Sequence, residues 1–151
     1  SAASDVYKRQ ILYLGDNAGE IVFDRLVIEE LHQVKKLEID FVVREKPIIN
    51  DATLNDATAV GMNEVARIAS SGSDAPATIL SQCSAEMLKL YYSADIIIAK
   101  GQGNYETLSE VENEIFFLLK AKCPVIARDL GCDVGTLVLR RSSHAVVTLE
   151  E

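Results

Sequence analysis

Four places in the sequence set ionisable or amide side chains directly behind runs of apolar residues. Gly15-Asp-Asn-Ala-Gly19 follows Ile11-Leu-Tyr-Leu14, and Asn50-Asp51 lies one short loop beyond Ile39–Val43. Lys100-Gly-Gln-Gly-Asn104 follows Ala94–Ala99, and Lys120 stands near the end of Ile115–Ala121. Asp16, Asn17 and Asp51 together offer carboxylate and amide oxygens, the hard donors that suit magnesium or manganese while leaving sites for water and phosphate. An ammonium at Lys100 is a point charge able to hold a phosphate oxygen. Gly101 and Gly103 permit close backbone approach, and the Asn104 amide can donate to a ligand. Glu20 has two readings, a group that orients water or contacts a substrate hydroxyl, and an acid stabilised by the dipole of a first helical turn. Alone, Asp16 and Asn17 are ordinary turn residues, and Lys120, with Lys122 beside it, is an ordinary surface charge. The combination at several strand ends is what points to a site.

For these residues to meet, the apolar runs must be neighbouring parallel strands, because ligands of open parallel sheets bind beyond the strands' carboxyl ends where strand order reverses. The pattern supports this. Short apolar runs alternate with amphipathic stretches, the signature of an α/β fold with a mainly parallel central sheet. Strands are expected at Ile11–Leu14, Ile39–Val43, Ala94–Ala99 and Ile115–Ala121, with Val65–Ile68 an ambiguous apolar patch and Ala145–Leu149 a last candidate. Helices are expected from Glu20, with Ile21, Val22, Leu26, Val27 and Leu31 on the apolar face, and over Ala52–Gly61, Glu86–Tyr92 behind the serine cap Ser84, Glu106–Asn113, and Pro124–Leu130 stopped by Gly131. Gly72–Pro76 is a loop, and its Ser73 and Asp74 are more simply loop polarity than site residues.

The chain has 151 residues, 48% hydrophobic and 25% charged, enough for one domain with a core. Fifteen Lys and Arg against twenty-three Asp and Glu give a net charge of −8, opposite to the footprint of a nucleic-acid binder or a protein of acidic membrane surfaces. No apolar run approaches the roughly 20 residues of a membrane helix. Cys83, Cys123 and Cys132 are odd in number and lack CxxC spacing, which excludes a cysteine zinc site and fits a reducing, cytoplasmic compartment. His32 and His144 follow no strand, so histidine-assisted serine or cysteine nucleophiles are poorly supported. Neither GxGxxG nor GxxxxGK[ST] occurs, which removes dinucleotide and P-loop nucleotide sites. The first ten residues have no periodicity and resemble translated adapter sequence, and they are expected to be a non-native leader to a single domain over 11–151.

Five segments in order carry a resemblance: YLGDNAGE at Tyr13–Glu20, INDAT at Ile49–Thr53, GSDAP at Gly72–Pro76, AKGQGNYETLSE at Ala99–Glu110 and FFLLKAKCPVIA at Phe116–Ala127. Together they resemble the metal-dependent damage-control phosphatases, in their stand-alone prokaryotic branch. The resemblance implies a Rossmann-like three-layer α/β/α domain that hydrolyses phosphate monoesters, with sugar phosphates or damaged and side-product phosphometabolites as substrates. It implies Asp16, Asn17 and Asp51 as ligands of a divalent cation (Mn, Co, Ni or Mg), and phosphate contacts from Lys100 to Asn104 and from Lys120. Asp16 or Asp51 would take the proton of the attacking water. The family's helical region ahead of the first motif has no counterpart here, and the family pattern has glycine where this chain has Ala77. A rival reading from another class is a non-catalytic phosphometabolite- or nucleotide-binding module using the same loops.

Overall fold

The computed structural model describes residues 8–142 and contains one six-stranded sheet. Its strands are β1 (Arg9–Leu14), β2 (Leu37–Val43), β3 (Arg67–Ser70), β4 (Ile96–Lys100), β5 (Ile115–Lys120) and β6 (Leu137–Arg141). They lie in the order β3-β2-β1-β4-β5-β6, parallel except for β6, which runs antiparallel to β5. Five α-helices connect them: α1 (Ile21–Val34), α2 (Leu54–Ala59), α3 (Ala85–Ser93), α4 (Gln102–Leu108) and α5 (Pro124–Leu130). The architecture is the expected α/β fold with a mainly parallel sheet.

Successive strand residues point to opposite faces, so β1 alone divides the core. Ile11 and Tyr13 join Ile39, Phe41 and Val43 of β2 under Ile21 and Ile28 of α1. Leu12 and Leu14 join Val42, Ile97, Ala99 and Phe117 under Met87 and Tyr91 of α3 and Tyr105 and Leu108 of α4. Local chemistry sets the helix ends. Thr53 and Asp56 form a reciprocal capping box at α2, the Ser84 hydroxyl accepts from the Met87 N–H at α3, and Gly131 closes α5 in the left-handed region.

Several elements depart from the sequence expectations. β1 begins two residues early, since Arg9 and Gln10 pair with Leu37 and Glu38 and Gln10 exchanges hydrogen bonds with Asp95. The patch at Val65–Ile68 resolves into the edge strand β3, shifted to Arg67–Ser70. The helix expected at Glu106–Asn113 instead starts at Gln102, directly behind Gly101, and ends at Leu108. β6 went unread because Leu137–Arg141 is a half-exposed edge strand ending in two arginines; Ala145–Leu149 and His144 lie outside the described residues. On α1 the inward face carries Ile21, Asp24 and Ile28, while Val22, Leu26 and Val27 are exposed. An acid at position 24 argues for solvent on pattern alone, and only its partners make it an inward residue.

Candidate active site

Strand order reverses between β1, which leads to β2 and β3, and β4, which leads to β5 and β6. The crevice beyond their carboxyl ends is where the candidate residues collect. Gly15 starts the turn with its N–H on the Val42 carbonyl (3.1 Å), and an added Cβ would sit 2.7 Å from Phe41 Cζ, so only glycine passes there. The turn is then sewn to the segment after β2: Ala18 N–H donates to the Asn50 carbonyl (2.8 Å), and Ala52 N–H to the Asp16 carbonyl (2.7 Å). These bonds bridge Asn17 to Asp51 and bring the two motifs side by side.

Burial, followed by the Asp51 and Glu20 carboxylates, pushes the Asp16 carboxyl up to about 6, against smaller opposing effects of Lys122 and Arg44. The Asn17 amide donates to Asp16 Oδ2 (3.2 Å), which leaves its own oxygen free of Asp16. Arg44 holds Asp51. The guanidinium, 2% exposed, donates through Nε to Asp51 Oδ2 (3.0 Å) and through Nη1 to the Thr78 hydroxyl (3.5 Å), while its Nη2 has no partner. The donor set fits a divalent cation on chemistry: Asp16, Asn17 and Asp51 are oxygen donors, and the neighbouring acids oppose ionisation of Asp16, a cost that a cation would relieve. Two carboxylates and an amide make up this set; among the described residues no group of three or more His, Cys, Asp or Glu side chains is gathered for a metal.

At the end of β4 the Lys100 side chain, 12% exposed, turns back toward α1. Its ammonium donates to Asp24 Oδ1 (2.8 Å) and, at longer range, to Glu20 Oε1 (3.4 Å), and the Tyr13 hydroxyl donates to the same Asp24 oxygen (2.7 Å). Burial opposes the lysine charge, but the Asp24 and Glu20 carboxylates outweigh it and hold the group above the ordinary lysine range. Burial likewise drives the Tyr13 hydroxyl well up, reinforced by Asp24, so it stays a donor.

Gly101 has φ +86°, and any Cβ there would collide with the Asp16 carboxylate. The close pass of β4's end over the β1 turn therefore needs glycine. Gly103 is packed for a different reason, since a Cβ there would lie 3.1 Å from that of Ala77. Ala77 itself adopts φ +60°, a conformation that explains why glycine suits this position. Asn104 is fully buried and braces the backbone: its Nδ2 donates to the Lys100 carbonyl (2.8 Å) and more weakly to that of Gly15 (3.5 Å), tying the β1 and β4 ends together, while its Oδ1 has no partner. In this arrangement the amide is a strut between the two turns. Ser73 is buried within its own loop, with its hydroxyl accepting from Ala75 N–H, and Asp74 is exposed.

A cleft of about 770 Å³ opens beside this site, lined by Asp16, Glu20, Lys100, Gly101, Lys120, Lys122 and the exposed Leu137, with Asn17 and Asp51 outside its lining. The same fold occurs in a known protein. Residues 2–138 match the pattern of the damage-control phosphatase ARMT1-like domain. The chain belongs to that family. A protein of Methanocaldococcus jannaschii, described as uncharacterized, is 50% identical over 135 residues, covering 87% of this chain and 44% of its own length. A damage-control phosphatase of Pyrococcus horikoshii is 44% identical over 133 residues, covering 87% of this chain and 46% of its own. The crystal structure of a DUF89 family protein from Pyrococcus horikoshii superimposes with a TM-score of 0.86 at 43% identity, over 89% of this chain and 48% of that one. The chain spans about half the length of the relatives it matches.

Within this damage-control phosphatase domain, Arg44, Asp24 and Tyr13 escaped the sequence reading. Two of them carry a faint signal. Arg44 is a cation directly behind the apolar Phe41-Val-Val43, and Asp24 interrupts the apolar Ile21-Val-Phe23 and Leu26-Val-Ile28.

Proposed function

We propose that this domain hydrolyses phosphate monoesters of small metabolites with the help of a divalent cation. The observation that carries the reading is the bridging of Asn17 to Asp51 beside Asp16 at the switch point, with Asp16, Glu20 and Lys100 lining the adjoining cleft. Asp16, Asn17 and Asp51 would hold the cation. When bound, a divalent cation neutralises charge on phosphoryl oxygens and makes a water more acidic. Lys100 presents an ammonium to a phosphoryl oxygen, Gly101 lets the group approach the backbone, and Lys120 supplies a second positive charge across the cleft. Of the two aspartates, Asp16 is the better placed proton acceptor, since one Asp51 oxygen is tied to Arg44. Glu20, beside Lys100 and Asp16, faces the same cleft and is suited to contact a substrate hydroxyl.

The substrate class we favour is sugar phosphates or damaged and side-product phosphometabolites, with Mn, Co, Ni or Mg as the cation, in the cytoplasm. Among the described residues no helix is long and apolar enough to cross a membrane. The test is hydrolysis of an aryl phosphate and a sugar-phosphate panel with each cation in turn, then with chelator. We expect turnover that needs the cation and disappears in Asp16→Asn. Phosphate binding without turnover under any cation would overturn the proposal in favour of a non-catalytic binding module.

A further inference from the structure

We propose that Asp24, braced by Tyr13, is a positioning residue that anchors Lys100 so that its ammonium stands fixed at the cleft, while Glu20 is the partner that an anion displaces. The inference rests on the phosphate-handling role of Lys100 proposed above. Three elements meeting at the switch point supply the anchor: Tyr13 from β1, Asp24 from α1 and Lys100 from β4. The Tyr13 hydroxyl and the Lys100 ammonium both donate to Asp24 Oδ1, at 2.7 and 2.8 Å, and Oδ2 has no partner among the described residues. The carboxylate is 2% exposed and the lysine 12%.

Packing alone gives no reason for this arrangement. The other inward residues of α1 are Ile21 and Ile28, and replacing a buried ion pair by apolar side chains of similar volume is often neutral or stabilising. What the pair does accomplish is geometric. An ammonium has three donors. One is fixed on Asp24, and a second makes the longer 3.4 Å contact with Glu20, whose side chain is 36% exposed. The third is left for the cleft that Lys100 lines. A flexible four-carbon side chain is thereby ordered before any ligand arrives, which lowers the entropy lost on binding. The two carboxylates are thus unequal partners, a buried one that holds and a half-exposed one that yields.

The test titrates inorganic phosphate into the full chain by calorimetry, with and without Mg2+, and follows the Lys100 Nζ resonance by NMR, assigned through its loss in Lys100→Arg. We expect a slowly exchanging Nζ signal in the unmodified protein that vanishes in Asp24→Asn. Phosphate affinity should fall by about tenfold in Asp24→Asn and about threefold in Tyr13→Phe, the second variant removing one hydroxyl with little effect on folding. Affinity unchanged or tightened in both variants would overturn the proposal, because Asp24→Asn removes a negative charge and Tyr13→Phe a brace, and neither could then be holding the ammonium for the anion. A protein that shows the Asp24-dependent Nζ signal but binds no phosphate would refute the phosphate reading of the site while upholding the anchor.

Discussion

Gly101 is where the end of β4 touches the turn after β1, and its replacement by alanine tests whether that contact builds the site. Its backbone, at φ +86° and ψ 159°, lies in a region nearly restricted to glycine, and an L-residue held there costs about 1–3 kcal/mol. The new methyl would also collide with the Asp16 carboxylate, and overpacking of this kind costs about 1–3 kcal/mol more. Gly101→Ala should therefore lose about 2–6 kcal/mol of stability by those two terms together. Two other glycines separate them. Gly131 has φ +70° with nothing near a Cβ, so Gly131→Ala should cost about 1–2 kcal/mol from the backbone alone. Gly19, with neither strain nor a neighbour, should stay within about 0.5 kcal/mol. Urea titration of the three variants gives the ranking, and Mn2+ affinity measured alongside should fall only in Gly101→Ala. Placing Gly101→Ala in an Asp16→Gly background should return its cost to that of Gly131→Ala. If Gly101→Ala is as mild as Gly131→Ala and leaves cation affinity intact, the close approach of Gly101 to Asp16 does not shape the site.

Three further outcomes are expected. Asp51→Ala should abolish turnover, and it also leaves Arg44 buried without its counter-ion. A loss of about 3–5 kcal/mol should appear in urea titration, with Asp51→Asn milder because an oxygen remains for Arg44 Nε, and both variants inactive. Asp16 makes stability fall as pH rises: its carboxyl keeps a proton up to about pH 6 when folded but only to 3.8 when unfolded, so folding takes up protons between those values. Discounted for partial exposure, the loss above pH 6 is about 1–2 kcal/mol. Asp16→Asn should remove that slope and raise metal-free stability at pH 8; thermal unfolding at pH 5 and 8 checks this, and a less stable variant at pH 8 would refute it. Ala77→Gly should gain about 0.5 kcal/mol, since relief of a positive φ outweighs the added unfolded-state entropy, and a lower denaturation midpoint would count against the strain.

Strands β1, β2, β4 and β5 and the residues behind them were legible because both signals are local. An apolar run such as Ala94–Ala99 ends in a glycine-bearing turn, and parallel strands place such turns on one edge. What pattern could not show is partnership between distant residues. Asp24 belongs to the core only because Tyr13 and Lys100 meet it there, and Arg44 is tolerable at 2% exposure only because Asp51 faces it. Both depend on pairings that appear once β1, β2 and β4 are neighbours. The short start of α4 was missed for a related reason: Gln102-Gly-Asn104 has the composition of a loop, and the Asn104 strut to the Lys100 and Gly15 carbonyls is what makes it helical this early.

An acidic chain that handles phosphate must reverse the sign of its field locally, and the site shows how charges are divided to do so. Asp24 and Asp51 are each matched by a buried cation, Lys100 and Arg44, so their charges are answered within the protein. Among the described residues Asp16 has no such partner at contact distance, and it feels Asp51 and Glu20 as like charges. It is the acid whose charge a divalent ion would answer, and it sits against Gly101 at the mouth of the cleft. With a net charge of −8 over the chain and Lys100, Lys120 and Lys122 lining the cleft, phosphate should bind weakly to the metal-free protein and more tightly once a cation is present. The same division predicts that added salt weakens the rim contribution of Lys120 and Lys122 far more than that of the buried Lys100.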